Sequence, residues 1–486
     1  MASAKMTICS LGMAAPLLFG QAPAPGAGSS AGPAPAVLVN LSVAAVDSSG
    51  QPVTDLNAAD FKVTDQGNPQ DVVLFHRNQA EAAPAKPGEY SNRSAAAPHS
   101  TVILFDLLNE SKTDTLEVWH NLDRLLPQLE SGDSLYFYLL NMEGGLSAIH
   151  PFGKPEDDHT WNQQVVKALD KAMKGAVHAR PMGMNDEECA KKTYVALETL
   201  GNQLAAFPGG RDIVWITNGI PNVWNPKLPC NGDWVECALY VPHLAVTLDR
   251  AKAVVDPLSF TSNPDPGMAR DIEYMATLTG GKAFFHQEIT GVLKQLAKSA
   301  ATGYSIAYEP SPENWDNKFH KVKVTCERAG VKLQVKQRYY AYPDTRPAAG
   351  KQQAALAAAY HSAVDATEVG LRATVTPTAG NPKSLHLEIR IQPLDLLLRE
   401  QLGRFGDVLT FVSADLGAAG PIGDPSISNF TLDLTREQRD TAIKEGLPIA
   451  VDHPINDAIQ KIRLIVQDQA TNAVGSLTFP VNGTGH

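Results

Sequence analysis

Cysteine is scarce, with five in 486 residues, which excludes a scaffold held together by disulfides alone. No C-x-x-C or H-E-x-x-H spacing offers a zinc site either. Basic residues are in the minority, 41 against 52 acidic, for a net charge of −11. A chain of that sign repels phosphate backbones, which argues against a nucleic-acid partner. Past the N-terminal segment no apolar run reaches the length of about 18 needed to cross a bilayer, so no transmembrane segment is expected in the mature chain. The sequence also lacks a G-x-S-x-G elbow, a P-loop and a G-x-G-x-x-G after a strand. Its thirteen His are scattered, with no pair at a metal-ligand spacing.

What is present is globular: 43% hydrophobic and 19% charged residues, at a length that implies about three domains. Lys5, the apolar run Met6 to Phe19 and the small residues Gly20 to Ala24 read as a signal peptide over residues 1–24, so the protein is expected outside the cytoplasm, periplasmic or extracellular. Residues 25–36, rich in Ala, Pro and Gly, read as a tether. Four cysteines then remain, Cys189, Cys230, Cys237 and Cys326, with three possible pairings. In an oxidising compartment Cys230 and Cys237 form the expected staple, with Cys189 as an alternative partner. Cys326, alternating with Val322 and Val324, reads as a buried thiol.

Alternation of Val39, Leu41 and Val43 with polar residues predicts a small β module over residues 37–77, and the Ala/Pro/Ser-rich stretch 78–98 reads as a linker. From residue 99 buried strands such as Val102-Ile103-Leu104-Phe105 and Ile213-Val214-Trp215-Ile216 alternate with amphipathic helices. Over 99–343 this predicts an α/β fold, a doubly wound and mainly parallel sheet of Rossmann type, extended by strands at Tyr304–Tyr308 and Val322–Val335. An Ala-rich stretch from Gly350 leads into residues 350–486, where the alternation of Leu385, Leu387, Ile389 and Ile391 predicts an Ig-like β-sandwich.

Ligands of open α/β sheets bind beyond the carboxyl ends of the strands, which draws attention to Asp106-Leu107-Leu108-Asn109-Glu110-Ser111 and to Thr217-Asn218-Gly219. These segments, together with Pro208-Gly209-Gly210-Arg211 to Pro221, Leu278 to Phe285 and Gly303 to Pro310, resemble the VWFA-related (von Willebrand factor type A) domain proteins of the acidobacterial type. The resemblance covers roughly residues 37 to 343. It implies a VWA-like domain with a metal-ion-dependent adhesion site, in which one divalent cation such as Mg²⁺ is held by oxygens of a DxSxS loop, a Thr and a late Asp. Carried over, those positions are Asp106, with Asn109, Glu110 and Ser111 as further loop donors, Thr193 at the start of a helix, and Asn218 in place of the Asp. The site is degenerate, because Leu108 stands where a ligand belongs and cannot bind a hard cation.

The loop from Asn218 to Val241 adds Trp224, Trp234 and Tyr240, residue types favoured at interfaces. With catalytic signatures missing, the expectation is an exported, non-enzymatic binding protein that engages another protein at the envelope or outside the cell. The alternatives are an envelope structural protein without a specific ligand, or a metal-assisted hydrolase or enzyme accessory centred on Asp106.

Overall fold

A computed structural model describes residues 38–78, 86–93, 100–109, 135–150, 161–176, 186–205, 210–219, 234–260, 266–342, 348–362, 365–418 and 420–481. The expected signal peptide and the tether lie outside these residues. The described residues form two compact units, one drawn from Val39–Gln79 and Pro98–Asp344, the other from Ala80–Ala97 and Thr345–His486.

The strands run, in chain order, β1 (Val39–Val46), β2 (Phe61–Asp65), β3 (Asn68–Gln70), β4 (Leu74–Arg77), β5 (Glu89–Ser91), β6 (Ser100–Asp106), β7 (Leu135–Leu140) and β8 (Leu146–His150). Next come β9 (Arg211–Ile216), β10 (Ala253–Ser259), β11 (Phe284–Phe285), β12 (Tyr304–Tyr308), β13 (Phe319–Cys326), β14 (Lys332–Gln334) and β15 (Arg338–Tyr340). The C-terminal set is β16 (Leu371–Thr378), β17 (Asn381–Ile391), β18 (Arg399–Gln401), β19 (Arg404–Gly417), β20 (Gly420–Thr435), β21 (Leu447–Pro454), β22 (Lys461–Asp468) and β23 (Val474–Pro480).

In the first of these units a six-stranded sheet has the order β11-β10-β9-β6-β7-β8, parallel except for the β7–β8 hairpin. Its central strands are apolar without interruption because both faces are covered. Val102, Leu104, Ile213 and Trp215 pack under the helices Asp186–Leu204, Trp234–Arg250 and Pro266–Thr279. Ile103, Phe105, Val214 and Ile216 pack under Trp161–Ala176 and Ile289–Thr302. The Thr279-Gly280-Gly281 turn has a steric reason: a Cβ on Gly281 would sit 2.1 Å from the Val255 carbonyl oxygen.

The same unit holds two antiparallel sheets, β14-β1-β12-β4 and β15-β13-β2-β3, around one core that includes Leu41, Phe61, Tyr304 and Val322. The strands at Tyr304–Tyr308 and Val322–Val335 therefore do not extend the parallel sheet as expected; they close the N-terminal module, with Leu41 opposite Ile306 and Val63 opposite Val324. Buried Asp65 ties the two sheets, accepting from Tyr308 Oη (3.2 Å) and Tyr339 Oη (2.8 Å) and contacting His320 Nδ1 at 3.2 Å.

The other unit consists of the antiparallel sheets β21-β17-β16-β5 and β18-β19-β22-β23, with β20 also paired to β19, around a shared core that includes Leu387, Ile389, Phe411 and Leu464. Part of the expected linker 78–98 belongs here: β5 pairs with β16, Tyr90 opposite Ala373. Asn92 Nδ2 donates to the Ala366 (2.7 Å) and Val369 (2.9 Å) carbonyls, and its Oδ1 accepts from Leu371 N (2.8 Å). Arg93 makes a buried ion pair with Asp395 at 2.9 Å.

Asp407, on β19 near Asp468, is a second charged feature of this unit. Burial first, then the negative Asp468, push its carboxyl up to about 8. The folded state thus keeps a proton that the unfolded chain releases in the ordinary carboxylate range, so this contribution to stability is full below that range and is lost as pH rises through about 8. Asp407→Asn removes the titration. Its melting temperature should therefore exceed that of the wild type at pH 9, the difference closing toward pH 5; a difference that does not vary with pH would contradict this.

A doubly wound, mainly parallel α/β architecture is therefore not the class of this chain. Among the described residues strand outweighs helix and four of the five sheets are antiparallel, parallel pairing being confined to one. The reason lies in partner choice: strands read as continuing the parallel sheet find their partners in the N-terminal module, and the final region is antiparallel throughout. No helix among the described residues is long and apolar enough to cross a membrane.

Candidate functional site

The order of the six-stranded sheet reverses between β6 and β9, and Asp106 ends β6 at that point. Its side chain follows Val102 and Leu104 onto the face covered by the helix Asp186–Leu204 and is fully buried. Oδ1 accepts from the backbone N–H groups of Leu108 (3.0 Å) and Asn109 (3.1 Å). Oδ2 accepts from Asn109 Nδ2 (2.7 Å), Thr217 Oγ1 (2.9 Å) and Trp215 Nε1 (3.1 Å). Burial pushes this carboxyl above its ordinary range, opposed by hydrogen bonds from Asn109, Thr217 and Trp215. Since every one of these contacts brings a donor, the geometry is built for the carboxylate form.

Thr193 does not open a helix as expected. It lies inside Asp186–Leu204, on the stripe with Cys189, Ala190, Tyr194 and Leu197 that faces the sheet. Its hydroxyl donates back to the Cys189 carbonyl (2.8 Å), the local bond open to a helical Thr, and accepts from Asn109 Nδ2 (2.8 Å). Asn218 follows Thr217 at the end of β9 and accepts from Ser259 Oγ on β10 (3.0 Å). Gly219 N donates to Thr217 Oγ1 (3.1 Å). The structure thus brings Asp106, Asn109 and Thr193 into one buried network and sets Asn218 beside it, while Glu110 and Ser111 lie outside the described residues.

The described side chains do not fit a divalent cation. Such an ion takes six or so oxygen ligands, yet both Asp106 oxygens face N–H and O–H donors and Thr193 Oγ1 already accepts one proton and gives another. Asn109 presents its nitrogen, not its oxygen, to the network. Leu108 turns its side chain into the core, 1% exposed. No group of three or more His, Cys, Asp or Glu placed to hold a metal occurs among the described residues.

Cys230 and the side chain of Cys237 lie outside the described residues, as does Trp224. Cys189 is fully buried in the core beneath the helix that carries it, the environment of a small apolar side chain. Cys326 is a free thiol, half-buried rather than buried, at the end of β13. Tyr240 belongs to the helix Trp234–Arg250 rather than to a loop, and it stacks on Tyr194 with centroids 6.1 Å apart. Sequence reasoning placed Thr217 in a strand-end segment without giving it a role, and it missed Trp215 as a member of the site. The available signal was register: Trp215 shares the sheet face of Asp106 on the neighbouring strand, where Phe105 stands opposite Ile216.

No family model and no curated protein matches the chain. Among solved structures it is similar to a mutant of the minor pilin PilB from Streptococcus sanguinis, at 13% identity over 41% of this chain and 61% of that one, with a TM-score of 0.27. It is similar to the human COPII-coat protein Sec24c at 10% identity, over 55% of this chain and 49% of that one, with a TM-score of 0.25. The three N-terminal domains of the type V pili tip protein Mfa5 from Porphyromonas gingivalis align at 7% identity over 93% and 78% of the two chains, TM-score 0.25. The chain spans less than two thirds of the first two proteins, and likenesses this low assign it neither a family nor a role.

Proposed function

We propose that the protein is an exported, non-enzymatic binding protein that engages another protein at the cell envelope or outside the cell, through the loops that follow β6 and β9. The observation that carries this reading is Asp106. A general base or nucleophile needs an open lone pair within reach of a substrate, whereas this carboxylate is 0% exposed and accepts five bonds from its own chain. It fixes the shape of the loops at the strand ends rather than acting on a bound molecule. The signal-like N-terminus and the missing catalytic signatures support the same reading.

The test is binding of the labelled full chain to envelope fractions of the organism of origin. Saturable binding, competed by unlabelled protein and weakened by Asn218→Ala, is the expected result. Absence of saturable binding, or turnover of any substrate in a broad hydrolase screen, would overturn the proposal.

A further inference from the structure

The carried-over site calls for a cation joining Asp106 to Thr193, and in this chain a side-chain amide already joins them. We infer that Asn109 is a built-in substitute for the ion, its Nδ2 bridging Asp106 Oδ2 at 2.7 Å and Thr193 Oγ1 at 2.8 Å, so that the strand-end loops are held without metal. The inference is independent of whether the loops bind a partner.

Proton accounting fixes which end of the amide faces the network. The single proton of Thr193 Oγ1 goes to the Cys189 carbonyl, so toward Asn109 this oxygen only accepts. Asp106 Oδ2 also accepts from Thr217 and from Trp215, whose indole nitrogen is a donor only. An NH₂ group with two protons satisfies both acceptors, and a carbonyl oxygen there would satisfy neither. At the other end of the amide, Asn109 Oδ1 is buried with no hydrogen-bond partner among the described residues. Leu108 brings no side-chain oxygen where a ligand is expected, which leaves a cation too few oxygens. Its backbone N–H donates to Oδ1 and Trp215 adds a third proton to Oδ2, which stabilises a carboxylate.

The experiment is thermal unfolding of the full chain in EDTA and in millimolar Mg²⁺, Mn²⁺ or Ca²⁺. The wild-type midpoint should be the same in all four. Asn109→Ala should melt about 5–10 °C lower in each, because it leaves a buried carboxylate and a hydroxyl short of a donor. Asn109→Asp, which replaces the amide protons by a second carboxylate, should melt lower in EDTA and be raised by Mg²⁺ or Mn²⁺. A rise of the wild-type midpoint with any ion overturns the inference, as does an Asn109→Ala midpoint equal to the wild type or an Asn109→Asp midpoint that no ion raises. Where the variants do not fold, a Mn²⁺ titration of wild-type tryptophan fluorescence decides. An ion on Asp106 would lie against the Trp215 indole and quench it. Absence of saturable quenching supports the inference, and saturable quenching that is lost in Trp215→Phe overturns it.

Discussion

Asp106→Ala is expected to lower the stability of the unit that contains it by about 3–5 kcal/mol, close to the total stability of many domains. The size follows from asymmetry. Removing the carboxylate strands the N–H groups of Leu108 and Asn109, the Asn109 amide, the Thr217 hydroxyl and the Trp215 indole without their acceptor, at a site sealed from water. Each buried donor without a partner costs on the order of 1–3 kcal/mol, partly recovered as the loop relaxes. In thermal unfolding the loss corresponds to roughly 10–15 °C. Asp106→Asn keeps the shape but aims an NH₂ group at other donors, so it should recover only part of the deficit. An alanine variant within about 2 °C of the wild type would mean that the network is not a structural hub.

Arg93→Ala should be of similar size, about 3–5 kcal/mol, and should be felt in the other unit. Arg93 pairs with Asp395 at 2.9 Å, with side chains 6% and 2% exposed, and donates to the carbonyls of Thr367 (2.7 Å) and Glu368 (3.3 Å). Truncation takes the guanidinium away from the buried Asp395 carboxylate, which also accepts from Gly370 N at 2.9 Å. It also removes the anchor of β5. Faster hydrogen exchange along β16, which pairs with β5 through Arg372, Ala373 and Thr374, is the local readout, and a lower urea midpoint the global one. The double substitution Arg93→Met with Asp395→Leu should cost less than Arg93→Ala alone, because no charge is left uncompensated. Equal losses would show that the carbonyl contacts, not the ion pair, carry the effect.

The apolar runs of β6 and β9 were legible because burial on both faces writes itself as Val102 to Phe105 and Ile213 to Ile216, and the C-terminal alternation from Leu385 to Ile391 announced a sheet with one covered face. Partner choice was not legible. Tyr304 to Tyr308 carries the same signal whether its neighbour is β1, as observed, or a strand of the parallel sheet, since burial pattern does not name the partner. Residues 86–93 were read as a linker because their binding to the C-terminal unit rests on Asn92 and Arg93, polar side chains whose value depends on carbonyls some 270 positions away in the sequence. At the candidate site, Asp106, Asn109 and Thr193 were found from strand-end logic and resemblance, yet the expectation of ligand oxygens hid the fact that the amide of Asn109 is a donor.

The interleaving of the two units bears on the order in which the chain can fold. Asn92 and β5 meet Leu371 and β16 only after about 280 further residues exist, and β1 waits for Tyr304–Tyr308. The first assembly cannot be completed before Tyr340 has emerged, nor the second before Pro480. Contacts of such separation carry a high loop-closure cost before they return any stability, which makes assembly slow. A fragment starting at Thr345 would expose the edge of β16 that β5 now covers, an open strand edge prone to pair with other chains.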